Sequence, residues 1–257
     1  MTTDTLELND RRDEVIVSAR GLRRTYRALD GTKIRALDNV DLDIRRGELT
    51  VIAGPSGSGK STLLQVLAGL DRPDRGSVRI GDEEITRARD RALSRMRRRK
   101  LGFVFQSFNL IDSLTARENI GLPLQLDGRK VDDARMTFLA DSLGLGDRLD
   151  HYPTQLSGGQ QQRIAVVRAL MSDPEVVFAD EPTASLDPKA GEQMIATLLD
   201  VAHQHGHAVV AISHDPEVEA AGDKVYRMAA GRLELCRARA VAPHFPPGPD
   251  SMAGPRV

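Results

Sequence analysis

Gly54-Pro55-Ser56-Gly57-Ser58-Gly59-Lys60-Ser61 matches G-x-x-x-x-G-K-S, a spacing suited to holding a phosphate chain. The glycines let backbone N–H groups close around phosphate oxygens. A helix opening at Lys60-Ser61-Thr62 would turn its positive end toward the same oxygens. Lys60 is placed to reach the outer phosphates, and the Ser61 hydroxyl to ligate Mg²⁺. A chance glycine-rich turn would lack the apolar strand before it and the helix opening after it. The loop by itself indicates a nucleoside triphosphate and no particular chemistry. The chain has no Asn-Lys-x-Asp guanine-reading run.

A second group follows the apolar run Val176-Val177-Phe178-Ala179, which ends in Asp180-Glu181. Asp180 is the expected Mg²⁺-side carboxylate, and Glu181 the group that polarises a water. The bland alternative is a solvated acidic pair opening a turn at Pro182. A third group is Ser157-Gly158-Gly159-Gln160, leading into a helix with Ile164, Val167 and Met171 on one stripe. Ser157 and the glycine amides at that helix start make a second anion site. Two phosphate-cradling sites with one lysine loop suggest that each supplies half of a binding site. Two copies of the chain would then sandwich the nucleotide.

The elements that must position these residues are legible as two kinds of strand. Val15-Ile16-Val17, Val40-Asp41-Leu42-Asp43-Ile44 and Val78-Arg79-Ile80 read as strands of an antiparallel sheet, the second alternating apolar with acidic residues. Leu49–Ala53, Phe103–Phe105, Val176–Ala179 and Ala208–Ile212 are near-continuous apolar runs, as in strands buried on both faces of a parallel sheet. They run into Gly54, Gln106, Asp180-Glu181 and Ser213-His214, at the strand edge where open α/β sheets bind ligands. Between about 87 and 150 the pattern turns helical and predicts an inserted lobe. Its run Arg95-Met96-Arg97-Arg98-Arg99-Lys100 reads as a solvated helix face. Residues 1–13 read as a loose leader and the Pro/Gly-rich 240–257 as a tail, leaving 14–239 as the folded unit.

The chain has 257 residues, 40% apolar and 28% charged, with a formal net charge of -1. That balance gives no support to a general nucleic-acid binder, and no nucleic-acid partner is expected. One cysteine, Cys236, excludes an intrachain disulfide. There is no secretory-type apolar segment at the start and no run of the ~20 apolar residues a membrane helix needs. A cytosolic location is expected, with membrane contact only through a partner.

These motifs, in this order over roughly Val15 to Arg239, resemble the ABC ATPase family. The resemblance implies an α/β P-loop NTPase fold, RecA-like, with a mainly parallel core, an N-terminal antiparallel β subdomain and an inserted α-helical subdomain. It also implies ATP and Mg²⁺ as cofactors and hydrolysis as the reaction. Tyr26 stands where the family places an aromatic on adenine, and 54–61 is its phosphate loop. Gln106 matches the glutamine that senses Mg²⁺ and the membrane domain, and 157–160 the signature motif. Asp180 and Glu181 match the metal acid and catalytic base, Ser185-Leu186-Asp187 the D-loop, and His214 the histidine at the γ-phosphate. The implied partners are a second copy of the chain and an integral membrane permease, at the cytoplasmic face of the membrane.

Phe103–Leu110 and Leu114–Ile120 are similar to the subgroup containing the MacB and LolD ATPases. That subgroup exports lipoproteins, peptides or drugs, or works in mechanotransmission. Amino-acid importer ATPases share much of this stretch. A soluble ABC ATPase acting on DNA or ribosomes would usually carry paired cassettes, long heptad runs or zinc cysteines, none of which this sequence shows. A division-linked ABC protein stays open at this level.

Overall fold

The computed structural model describes residues 14–239. The leader and tail expectations, 1–13 and 240–257, lie outside the described residues.

The described residues open with a hairpin of β1 (Val15–Arg27) and β2 (Lys33–Arg45). Its turn is set by Asp30, whose Oδ1 accepts the Thr32 N–H at 2.9 Å, and by Gly31 at φ +84°. β4 (Arg75–Ile80) pairs with β1, and β5 (Glu83–Glu84) with β4, all antiparallel. The second sheet contains β3 (Leu49–Ala53), β6 (Leu101–Val104), β7 (Val176–Asp180), β8 (Ala208–Ser213), β9 (Lys224–Ala229) and β10 (Arg232–Ala238). Its order is β10-β9-β3-β8-β7-β6, parallel except at the β9–β10 hairpin.

The side-chain period of two sends each core strand's residues to two different clusters. On β8, Val209 and Ala211 join one, while Ala208, Val210 and Ile212 join the other. The first cluster takes residues of α3 (Ala116–Leu126), α4 (Asp133–Ser142), α5 (Gly158–Leu170) and α6 (Pro188–His203). The second takes α1 (Lys60–Leu67), α2 (Asp90–Lys100) and the antiparallel sheet. A last short helix, α7 (Pro216–Ala221), adds Val218 to the first. Burial on both faces is the reason the core strands read as unbroken apolar runs.

The stretch 87–150 is not one helical block. The core strand β6 lies within it, and α2 joins the opposite cluster from α3 and α4. A short strand after a charged helix is hard to set apart by periodicity. The inserted helices proper are α3 and α4, between β6 and α5. The charges at the end of α2 are engaged locally. Arg98 and Arg99 both pair with Asp127, at 3.1 and 2.8 Å. Lys100 bridges Glu83 at 2.9 Å and Glu175 at 3.1 Å.

Candidate active site

The phosphate loop leaves β3 at Ala53 and enters α1 at Lys60. Two glycines are required by contact. A Cβ at Gly54 (φ +152°) would sit 2.2 Å from the Met228 carbonyl oxygen, and one at Gly59 (φ +109°) 2.2 Å from that of Ala36. Lys60 is buried and its Nζ donates to the carbonyls of Gly54 at 2.8 Å and Pro55 at 3.0 Å, folding the ammonium over the loop. Ser58 Oγ is buried without a partner, and a Cβ on Gly57 would meet nothing within 4 Å. Pro55, Ser56 and Ser61 are exposed and Thr62 is half-buried. A buried cation, an unpaired hydroxyl and an open glycine face fit a phosphate chain.

Register brings the other groups to the same edge. Ala53 is level with Ser213 on the neighbouring strand, and Ile212 with Asp180 beyond it. Val104 is level with Ala179, which brings Gln106, exposed just past β6, to that edge as well. Burial, and then the charge of Glu181, push the Asp180 carboxyl above the usual aspartate range, with Lys60 pulling the other way. Glu181 has left-handed backbone (φ +47°), uncommon for a residue with a Cβ, and its N–H donates to Ile212 O at 2.9 Å. Its carboxylate lies 3.0 Å from His214 Nδ1 and accepts from Ser213 Oγ at 3.3 Å and from the His214 N–H at 3.4 Å. Ser213 Oγ in turn accepts from the Asp215 N–H at 3.0 Å, and Thr183 Oγ1 donates to Asp215 at 2.8 Å. Ser213, Asp215 and Thr183 were not sequence-level candidates; the signal available was their adjacency to His214 and Glu181.

Tyr26 is half-buried on β1. Its hydroxyl donates to Asp71 at 2.7 Å, and the Arg24 guanidinium stands 4.8 Å from the ring centroid. Burial works against the Asp71 carboxylate, but hydrogen bonds from Tyr26, the Arg72 N–H and Arg24 leave its pKa lowered.

The signature residues fold as a capping box. Ser157 Oγ accepts the Gln160 N–H at 3.3 Å, and Gln160 Oε1 accepts the Ser157 N–H at 2.9 Å. Around a Cβ at Gly158 the nearest atoms are Phe108 Cζ at 3.9 Å and Leu186 Cδ2 at 4.0 Å, and at Gly159 the Ala190 Cβ at 3.3 Å. None belongs to the phosphate loop. Asp187 caps α6, its Oδ1 accepting the Ala190 N–H at 3.0 Å. The fold thus brings the phosphate loop, Gln106, Asp180, Glu181 and His214 to one edge, while Ser157, Gly158, Gly159 and Gln160 have other neighbours.

Residues 37–184, more than half of the chain, match the family described as ABC transporter. The chain belongs to the ABC transporter family. It is 47% identical over 215 residues to an uncharacterized ABC transporter ATP-binding protein of Thermotoga maritima, covering 83% of this chain and 92% of that protein. It is 42% identical over 236 residues to the macrolide export ATP-binding/permease protein MacB 1/2 of Paracoccus denitrificans. That match covers 91% of this chain and 35% of MacB 1/2, so the ABC chain spans about a third of the exporter's length. Among solved structures, the ATP-binding cassette MJ0796, dimeric in a post-hydrolysis state with ADP and Pi, superposes with a TM-score of 0.78 at 38% identity. The superposition covers 88% of this chain and all of that one. The cassette cbiO1 of Clostridium perfringens gives a TM-score of 0.75 at 28% identity, covering 87% of this chain and 88% of its own. This ABC chain is therefore an ATP-binding transporter subunit and an ATPase, using ATP with Mg²⁺, built on the P-loop fold described above. Among the described residues no helix is long and apolar enough to cross a membrane.

Proposed function

We propose that two copies of this chain close head to tail around ATP and drive a separately encoded membrane permease, in the manner of an exporter of lipoproteins, peptides or drugs. One observation carries the two-copy reading. The signature glycines Gly158 and Gly159 neighbour Phe108, Leu186 and Ala190 of their own chain, and not the phosphate loop they would serve. The dimeric form of MJ0796 supports it. The likeness to MacB, an export ATP-binding/permease protein, supports export and a permease partner; a place at the cytoplasmic face of the membrane goes with that partner.

In this reading Lys60, the amides of 54–61 and the start of α1 hold the phosphates, and Tyr26 carries the adenine. Ser61, Gln106 and Asp180 hold Mg²⁺, which when bound neutralises phosphate charge and aligns the chain for attack. Glu181 takes the proton of the attacking water, oriented by the His214 ring beside it. Ser157, Gly158, Gly159 and Gln160 of the second copy close over the outer phosphate, with Asp187 near the seam. A Glu181→Gln chain should bind ATP and run as a dimer in light scattering. A monomer with ATP and Mg²⁺ would overturn the sandwich. Capture of that dimer from solubilised membranes should bring a permease with it. Recovery of ribosomal or chromosomal proteins alone would overturn the transport reading.

A further inference from the structure

The segment after β6 is held at both ends. Upstream, the Phe105 ring stacks on Phe103, centroids 5.6 Å apart and planes 3° from parallel. Downstream, the fully buried Asn119 accepts from the Ile111 N–H at 2.7 Å and donates back to the Ile111 carbonyl at 3.1 Å. Between these anchors Phe108 (φ +57°) and Asn109 (φ +50°) are consecutive left-handed residues, neither of them glycine. Such backbone persists only where its surroundings hold it.

The holding group is Arg168, in the last turn of α5. Its guanidinium donates to Phe108 O at 2.7 Å and also to Asn109 O, across about sixty residues of sequence. A guanidinium fork suits two adjacent carbonyls, because its N–H groups are fixed in one plane. The side chain is half-buried and lines a cleft with Phe103, Phe105, Leu122, Pro123 and Leu126. At the other end of α5, the Phe108 ring tip lies 3.9 Å from where a Cβ of Gly158 would be. A single loop residue thus faces the signature start of the helix with its ring and is bonded through its carbonyl to Arg168 near the helix end.

We propose that Arg168 is a positioning residue that fixes the loop bearing Gln106 to the signature helix, so that the reach of Gln106 toward Mg²⁺ follows α5. This rests on reading Gln106 as a magnesium ligand. A shift of α5 would move the Phe108 and Asn109 carbonyls with it, and Gln106 lies just upstream of both. Loss of the fork would leave the two carbonyls without a bond to α5, while the loop kept its end anchors and the Phe108 N–H bond to Phe105 O at 3.1 Å.

The test measures the Mg²⁺ requirement for ATP hydrolysis by the full chain. The variants are Gln106→Ala, Arg168→Lys, Arg168→Met and the Gln106→Ala/Arg168→Lys double variant, with amide exchange followed over 106–110. Arg168→Lys keeps the charge but loses the fork. It should raise the half-saturating Mg²⁺ severalfold, with faster exchange at 106–110, and Arg168→Met should do so more strongly. In the Gln106→Ala background, Arg168→Lys should add no further Mg²⁺ effect, since coupled residues fail to add. If Gln106→Ala raises the requirement while both Arg168 variants lower only the melting temperature, Arg168 is a structural brace and the proposal is overturned alone. Additive effects in the double variant overturn it in the same way. Should Gln106→Ala leave the requirement unchanged, the metal reading itself fails and takes the proposal with it. Should Arg168→Met fail to fold, Arg168→Lys decides the matter by the same readings.

Discussion

His214 Nδ1 stands 3.0 Å from the Glu181 carboxylate, a contact across 33 positions between residues that each follow the end of a buried parallel strand. The pairing is produced by register. One step of slip between β7 and β8 would turn alternate side chains to the wrong face. Glu181→Gln keeps the shape of the side chain and removes its basicity. Phosphate release should fall by about 10²- to 10⁴-fold with ATP affinity retained. Near-normal turnover would remove Glu181 from the role of base.

Gly158 gives a cleaner test of the two-copy site. Within one chain a Cβ there meets only ordinary contacts at 3.9 and 4.0 Å, and Gly158 opens α5. Gly158→Ala should leave the fold as stable or firmer, by up to ~1 kcal/mol on helix propensity. ATP-driven dimerisation should nevertheless be lost, because the face serves another molecule. Gly54→Ala would behave differently, since its Cβ collides with the backbone of the same chain at 2.2 Å. Calorimetry paired with light scattering separates the two; retained dimerisation in Gly158→Ala would count against the shared site.

Asp180 links the site to pH. Its carboxyl titrates above the ordinary aspartate value, chiefly through burial. The folded chain therefore holds that proton more tightly than the unfolded chain does. The resulting cost to the fold is absent below the ordinary value of about 3.9, grows as pH rises, and is complete above the folded value. Asp180→Asn should accordingly melt higher than the parent at neutral pH without Mg²⁺, the gap closing on acidification. Mg²⁺-dependent hydrolysis should disappear. A gap that widens as pH falls would contradict this assignment.

Tyr26 and Asp71 should separate binding from chemistry. Removing the ring in Tyr26→Ala is expected to raise the KM for ATP about tenfold with kcat little changed, base–aromatic stacking being worth about 1–3 kcal/mol. Asp71→Asn keeps the ring and weakens its tether, so a smaller KM change follows. Equal losses of kcat in both variants would place Tyr26 elsewhere in the cycle.

Much of this was legible because the chemistry of the motifs is local. The phosphate loop, the capping box at Ser157 and the acid pair at Asp180-Glu181 each lie within a few residues, and the strands ahead of two of them are almost wholly apolar. β9 and β10 were not called as strands. Arg232–Ala238 is mostly exposed and mixes three charged residues with its apolar ones, and its hairpin turns at Ala230-Gly231 (φ +47° and +78°), a dipeptide with little turn signature. The reach of Arg168 to Phe108, of Ser213 to Glu181 and of Tyr26 to Asp71 depends on packing across 60, 32 and 45 positions. No local pattern announces contacts of that kind. The core strand β6 was recognised from its apolar run, yet its place inside a helical stretch blurred the boundary of the inserted helices.

The cations closing α2 have a last consequence. Arg98 and Arg99 converge on Asp127, while Lys100 is divided between Glu83 and Glu175. Three cations facing three carboxylates at home project little field outward, so they offer a weak grip on anionic lipid. With the proposed permease as the chain's hold on a bilayer, attachment should survive a high-salt wash nearly unchanged, and what releases it should be detergent.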